Sequence, residues 1–139
     1  MSVEAVMSPA ISVIVPVRNE AENIAPLVAE IAVALAGRAF EVIYVNDGST
    51  DDTAAELTRL KAQHPWLRQV RHASSCGQSA ALRTGMAAAR APVIVTLDGD
   101  GQNDPAFLPR LVDALEQGAR CNRSPSAHRT GRAQGRALY

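Results

Sequence analysis

Asp98, Asp100 and Gln102 stand two residues apart within the run Leu97-Asp-Gly-Asp-Gly-Gln-Asn-Asp104. In an extended chain, residues two apart project to the same side, roughly 6.6 Å apart along the backbone. A turn begun at the glycines would draw their oxygens closer still. Three hard oxygen donors from one short stretch suit Mg2+ or Mn2+, which keep water and phosphate oxygens as their other ligands. A metal-free acidic turn held by Asx hydrogen bonds accounts for the same residues equally well. A full calcium loop does not: the twelfth position from Asp98 is Pro109, where such a loop needs a glutamate. Gly99 and Gly101 leave space for a bulky ligand to approach the backbone.

Other candidates are single residues, each with a plain alternative. Asp47, followed by Gly48, could accept a hydrogen bond from a nucleobase N–H, or form an Asx turn into Ser49-Thr50. Arg18 and Glu20 could meet a base, ribose or phosphate, or be solvated charges at a helix start. His64, His72 and His128 have no ligand spacing, so surface or internally satisfied positions are expected. Trp66, after Pro65, reads as packing rather than a stacking platform. Cys76 and Cys121 form no CxxC and no Cys/His cluster, and Cys76 reads as a small filler. A reducing, cytosolic setting follows from that cysteine usage and from the lack of a leader pattern in Met1 to Ala10.

An alternating series of strands and helices positions these residues. Ile11 to Pro16 is a continuous β-branched run, as expected of a strand covered on both faces. Ile24, Leu27, Val28, Ile31 and Leu35 then form one helical stripe, ended by Gly37. Phe40 to Val45 is a second strand. Ser49 or Thr50 should cap the next helix, with Asp51 and Asp52 in its first turn and Ala54, Leu57 and Leu60 inward. Leu67 to His72 reads as a short third strand. A small-faced helix spans about Gln78 to Ala89 through Ala81, Leu82, Gly85, Met86 and Ala89, which implies close approach to the sheet. Pro92 to Leu97 is a fourth strand. Asp104-Pro105 opens a last helix with Leu108, Leu111 and Leu115 inward. The expected fold is α/β, a Rossmann-like, mainly parallel sheet with helices on both faces. Ligands of such sheets bind beyond the carboxyl ends of the strands, where all of these polar segments fall.

The chain has 139 residues with 14 basic and 14 acidic side chains. That length suits one domain, and the neutral balance argues against a nucleic-acid partner. No apolar run approaches 18 residues, so no membrane-spanning helix is expected. The charge is unevenly placed. Residues 1–117 carry 9 basic and 14 acidic groups, whereas residues 118–139 carry five arginines and no acid. The second stretch, poor in large apolar residues, reads as a basic tail that is disordered or aberrant. The domain is therefore drawn as 1–117. Missing motifs prune further: GxGxxG, GxxxxGK[ST] and GxSxG are all absent, which removes the dinucleotide fingerprint, the P-loop and the usual nucleophile elbow.

Four segments in order, Val13 to Ile24, Val45 to Thr53, Gly77 to Leu82 and Leu97 to Pro105, closely resemble glycosyltransferase family 2. The Gln102-Asn103-Asp104-Pro105 ending is similar to that of the polyprenyl-phosphate sugar transferases. The resemblance covers about residues 10–117 and implies the nucleotide-sugar-binding part of a GT-A fold. It implies that Pro16, Arg18 and Glu20 line the nucleotide pocket and that Asp47 contacts the base. Asp98 and Asp100 would be the DxD-type pair near ribose, diphosphate and metal, with Gln102 a further ligand of Mg2+ or Mn2+. Arg18 stands where relatives often have an aromatic, and Asn46 where they often have aspartate.

The implied reaction is metal-assisted, inverting transfer of a sugar from a UDP- or GDP-sugar to an acceptor, polyprenyl phosphate in this branch. The acceptor half and its catalytic residues are expected to be missing, so that the chain reads as a truncated N-terminal half. Membrane association, at the cytoplasmic face, would then come only through missing regions. A catalytically inactive nucleotide-sugar-binding fragment is the alternative. A phosphoacceptor signalling domain is a weaker one, because that fold also sets acids at strand ends.

Overall fold

The computed structural model describes residues 8–99, 104–121 and 137–138. Four parallel strands form the body of the sheet: β1 (Ile11–Val17), β2 (Phe40–Asp47), β3 (Leu67–His72) and β4 (Val93–Thr96). A two-residue strand, β5 (Ala137–Leu138), pairs beside β4, giving the order β3-β2-β1-β4-β5. Between the strands run helices α1 (Ala21–Ala34), α2 (Thr53–Gln63) and α3 (Gln78–Ala88). After β4 a 3-10 turn (Pro105–Phe107) leads into α4 (Leu108–Cys121). β1 and β2, at the centre, are almost wholly buried, as their unbroken apolar runs require.

Period-two alternation divides the core into two layers. Ile11, Val13, Val15 and Val17 face α1, α2 and α4, meeting Ile24, Leu27, Val28 and Ile31 of α1, Leu57 and Leu60 of α2, and Leu108, Val112 and Leu115 of α4. Ile14, Ile43, Val45 and Ile94 face the other way, toward Ala81 of α3 and Ala89 just after it. Each large side chain in these layers contributes about 1.5–3 kcal/mol by leaving water. The small face of α3 lets that helix lie close to the sheet: a Cβ on Gly85 would run into Cγ2 of Ile14.

Several expectations need adjustment. The inward seam of α4 is Leu108, Val112 and Leu115, with Leu111 only partly buried, because the 3-10 turn rotates the helix relative to its expected start. The expected capping role of Ser49 or Thr50 is also displaced. α2 begins at Thr53, and Asp51 Oδ1 accepts from the Thr53 backbone N–H at 2.9 Å. α4 continues to Cys121, four residues past the expected boundary, and β5 falls inside the expected tail; the remaining tail positions lie outside the described residues. As expected, Trp66 packs against the core, and its ring meets those of Phe40 and His64 at a tilt, ring centroids 4.7 Å apart in both pairs. Among the described residues, no helix is long and apolar enough to cross a membrane.

A buried polar network closes the amino ends of the strands. Glu41 Oε2 accepts from Ser12 Oγ at 2.6 Å and from the Arg90 N–H at 2.8 Å, and Oε1 accepts from Arg68 Nη1 at 2.7 Å. Burial pulls the Glu41 carboxyl upward, but these donors and the Arg68 charge outweigh it, so its pKa falls below the ordinary glutamate value. Ser12 Oγ in turn accepts from the Ala91 N–H at 3.1 Å, so this network ties the entry to β4 onto β1 and β2.

Candidate functional site

The carboxyl end of β1 turns sharply at Asn19, whose φ of 56° lies in the left-handed region that asparagine tolerates. Its side chain then organises the neighbouring loop. Asn19 Oδ1 accepts from the backbone N–H of Thr50 at 2.8 Å and of Asp51 at 3.2 Å, and from Thr50 Oγ1 at 3.3 Å. The Asn19 N–H donates to Ser49 Oγ at 2.9 Å, and the Glu20 N–H to Thr53 Oγ1 at 3.2 Å. Ser49 and Thr50 thus bind the β1 exit loop rather than capping α2. Arg18 and Glu20 flank Asn19, and the Glu20 backbone is tied into the same network. Bonds from Thr53 and from the Ala21 N–H keep the Asp51 carboxyl below its usual pKa.

Asp47 ends β2 and is almost fully buried. Its Oδ1 meets His72 Nδ1 at 2.7 Å and the Cys76 N–H at 2.8 Å. Oδ2 accepts from Ser75 Oγ at 2.9 Å and the Gly77 N–H at 3.0 Å. A carboxylate offers about four lone-pair positions, and the protein's own groups take all four. Burial pushes the Asp47 carboxyl up, but the four donors overcome it and hold it well below the usual carboxylate range. Asp47 is therefore the anchor of the loop between β3 and α3. The left-handed φ of Gly48, 69°, belongs to the same packing, since a Cβ there would strike the Ser74–Ser75 backbone.

These loops border a cleft of about 430 Å3 at the carboxyl edge of the sheet. Pro16, Arg18, Glu20, Asp47, Asp98 and Gly99 all line it. Each donor-site residue expected from the sequence and lying among the described residues thus reaches one cavity. Asp100 and Gln102, the other expected metal ligands, lie outside the described residues, as does Gly101. The first turn of α3 forms the opposite wall through Gly77, Gln78 and Ala81, so the positive end of a helix dipole faces the space. Gln78 Nε2 stands 3.5 Å from Asp98 Oδ1 across it.

Two expectations change in their physical reason. A Cβ on Gly99 would collide with Cγ1 of Val17 and press on the Pro16 carbonyl at 3.2 Å. Packing of the β4 exit against β1 therefore already demands that glycine, without any ligand. Cys76 is exposed and not a filler. His72 is a satisfied histidine, bonded to Asp47 and, through Nε2, to Thr84 Oγ1 at 2.8 Å. Sequence reasoning missed Asn19 and the Asp47–His72 pair. An asparagine just past a strand end was its own signal for a left-handed turn; the pair becomes visible only through strand register.

Comparison with known proteins resolves the family. The model described as "Glycosyl transferase family 2" matches residues 12–126. The chain belongs to glycosyltransferase family 2. It is 38% identical over 115 residues to the dodecaprenyl-phosphate galacturonate synthase of Rhizobium johnstonii, covering 81% of this chain and 34% of that protein. It is 34% identical over 109 residues to the dolichol-phosphate mannosyltransferase of Pyrococcus furiosus, covering 78% and 31%. This family 2 chain thus spans about a third of the length of the relatives it matches.

Solved structures give the GT-A fold. A mannosyltransferase from Pyrobaculum calidifontis in complex with GDP-Man and Mn2+ superposes with a TM-score of 0.62 at 32% identity, covering 68% of this chain and 28% of that one. Glucosyl-3-phosphoglycerate synthase from Mycobacterium tuberculosis, in complex with Mn2+, UDP and glucosyl-3-phosphoglycerate, superposes with a TM-score of 0.62 at 27% identity, covering 77% and 39%.

Proposed function

We propose that this family 2 chain is the donor-binding part of a glycosyltransferase that passes a sugar from a UDP- or GDP-sugar to a polyprenyl phosphate, with inversion. The observation that carries the reading is that one cleft is lined by Pro16, Arg18, Glu20, Asp47, Asp98 and Gly99 together. The names of the relatives suggest the acceptor class, and the Mn2+ in the solved relatives supports a divalent cation, Mg2+ or Mn2+. The setting that follows is the cytoplasmic face of a membrane, where such an acceptor would be met.

The residues present fit a divalent cation. Asp98 offers an exposed hard-oxygen donor at the cleft, while Glu20 and Asp47 add negative charge and Arg18 alone lines it as a cation among the described residues. Such a lining repels a diphosphate unless a cation joins them. Asp98, with Asp100 and Gln102, would hold Mg2+ or Mn2+, which supplies charge neutralisation for the departing nucleoside diphosphate. Arg18 stands where its guanidinium can meet a phosphate or ribose oxygen. The first turn of α3 favours the same anion through its dipole. Asp47 fixes that turn by holding Cys76 and Gly77, so its service to the donor is to shape the wall. A phosphate acceptor oxygen is already anionic and needs little general-base help.

The test is a transfer assay with the full chain, Mn2+ or Mg2+, a panel of UDP- and GDP-sugars and polyprenyl phosphate. Glycolipid product that falls about 100-fold or more in Asp98→Ala supports the enzyme reading. Metal-dependent donor binding without product supports the alternative, a donor-binding piece that needs an acceptor half. Product undiminished by Asp98→Ala overturns the metal assignment.

A further inference from the structure

Beyond the donor cleft chemistry, we propose that Asp47, His72 and Cys76 form a second cation site, one that takes Zn2+ or a comparable borderline metal. Among the described residues, this is the group of His, Cys and carboxylate side chains whose ligand atoms converge, all within 4.8 Å of one another. Three elements supply them: the end of β2, the end of β3 and the loop before α3. The donor set is one carboxylate oxygen, one imidazole nitrogen and one sulfur. That mixture suits zinc and is foreign to Mg2+ or Mn2+, which take oxygen.

The surroundings resemble a prepared ligand shell. A carboxylate only accepts, so the proton between Asp47 Oδ1 and His72 Nδ1 sits on nitrogen, and Nε2 accepts from Thr84. A metal takes the place of that Nδ1 proton. The neutral ring then carries its proton on Nε2 and donates to Thr84 Oγ1, the outer partner that ligating histidines regularly have. The Asp47 carboxylate stays ionised and stays oriented by Ser75 and Gly77. Cys76 gives up its thiol proton to solvent as the metal–sulfur bond forms, replacing a long contact to the Ser74 carbonyl at 3.3 Å. Tetrahedral zinc spaces such ligand atoms about 3.3–3.6 Å apart, so the Asp47–His72 pair, now in direct contact at 2.7 Å, opens by about 0.7 Å while the sulfur, within 4.8 Å of both, draws in by up to about 1 Å. An exposed side chain such as Cys76 can make that move. A fourth position remains for water.

The experiment titrates Co2+, a spectroscopic substitute for zinc, into the reduced full chain. The expected result is one equivalent bound with a thiolate-to-cobalt charge-transfer band, bleached by one equivalent of Zn2+. Cys76→Ser and His72→Gln should each abolish the band, while Asp98→Ala and Cys121→Ser should keep it. The Asp98→Ala arm separates this site from the donor cation, so failure of one proposal leaves the other standing. As a check independent of variant folding, Zn2+ should slow alkylation of Cys76 in the unaltered protein at least tenfold, read by mass spectrometry of its peptide. No band in the unaltered protein, a band that survives Cys76→Ser, or alkylation of Cys76 unaffected by Zn2+ overturns the proposal.

Discussion

His72 and Asp47 are register partners across the parallel β2–β3 pair, and their side chains close on each other at 2.7 Å. The last rung of that ladder is thus marked by a side-chain bond between the register partners. It hands the strand ends directly to the loop that walls the cleft.

Asp47→Asn tests how much that anchor contributes. The amide cannot accept on both sides, so donors from Cys76, Gly77, Ser75 or His72 lose partners, at a cost of about 2–4 kcal/mol. The pH dependence has a definite sign. A carboxyl held below its unfolded value stabilises fully above the ordinary carboxylate range, and that stability is lost as pH falls toward the depressed value. Urea unfolding at neutral pH should show the deficit, and the variant's stability should fall less steeply than the parent's on acidification below about pH 4.

Asn19→Ala removes the acceptor for Thr50 and Asp51 and forces alanine into a left-handed backbone. The left-handed term is about 1–2 kcal/mol, and the lost bonds, on an exposed loop, add about 1. Asn19→Gly should recover the backbone part and not the rest. Chemical denaturation of the three proteins should therefore rank Asn above Gly above Ala.

Glu41→Gln breaks a buried acceptor at the opposite end of the sheet. Ser12, the Arg90 N–H and Arg68 all depend on it, so the expected loss is about 3 kcal/mol. Donor affinity of the folded variant should stay within twofold of the parent, because the network lies at the amino ends of the strands. Calorimetry on folded protein together with a denaturation curve separates the two effects.

Much of this architecture was legible in the residues. Ile11 to Pro16 and Phe40 to Val45 are unbroken apolar runs because both faces are covered, and Ile24, Leu27, Val28 and Ile31 lie on the stripe their spacing drew. The rule that ligands collect at the carboxyl ends of parallel strands was enough to gather Arg18, Glu20, Asp47 and Asp98 around one cleft. What escaped was cross-chain geometry. Asn19 meets Thr50, and Asp47 meets His72 and Gly77, across separations of about 25 to 31 residues that only strand register defines. Val112 displaced Leu111 from the α4 seam because a 3-10 turn advances the chain by a different angle per residue than an α-helix.

The proposed function depends on a cation joining the carboxylates of the cleft to a sugar donor's diphosphate. The direct measurement is titration calorimetry of GDP- and UDP-sugars into the full chain, with and without Mn2+, for the parent and Asp98→Ala. The expected result is a donor whose affinity rises at least tenfold with Mn2+ in the parent and hardly at all in Asp98→Ala. Donor binding of equal strength with and without Mn2+, or a Mn2+ effect untouched by Asp98→Ala, would contradict it.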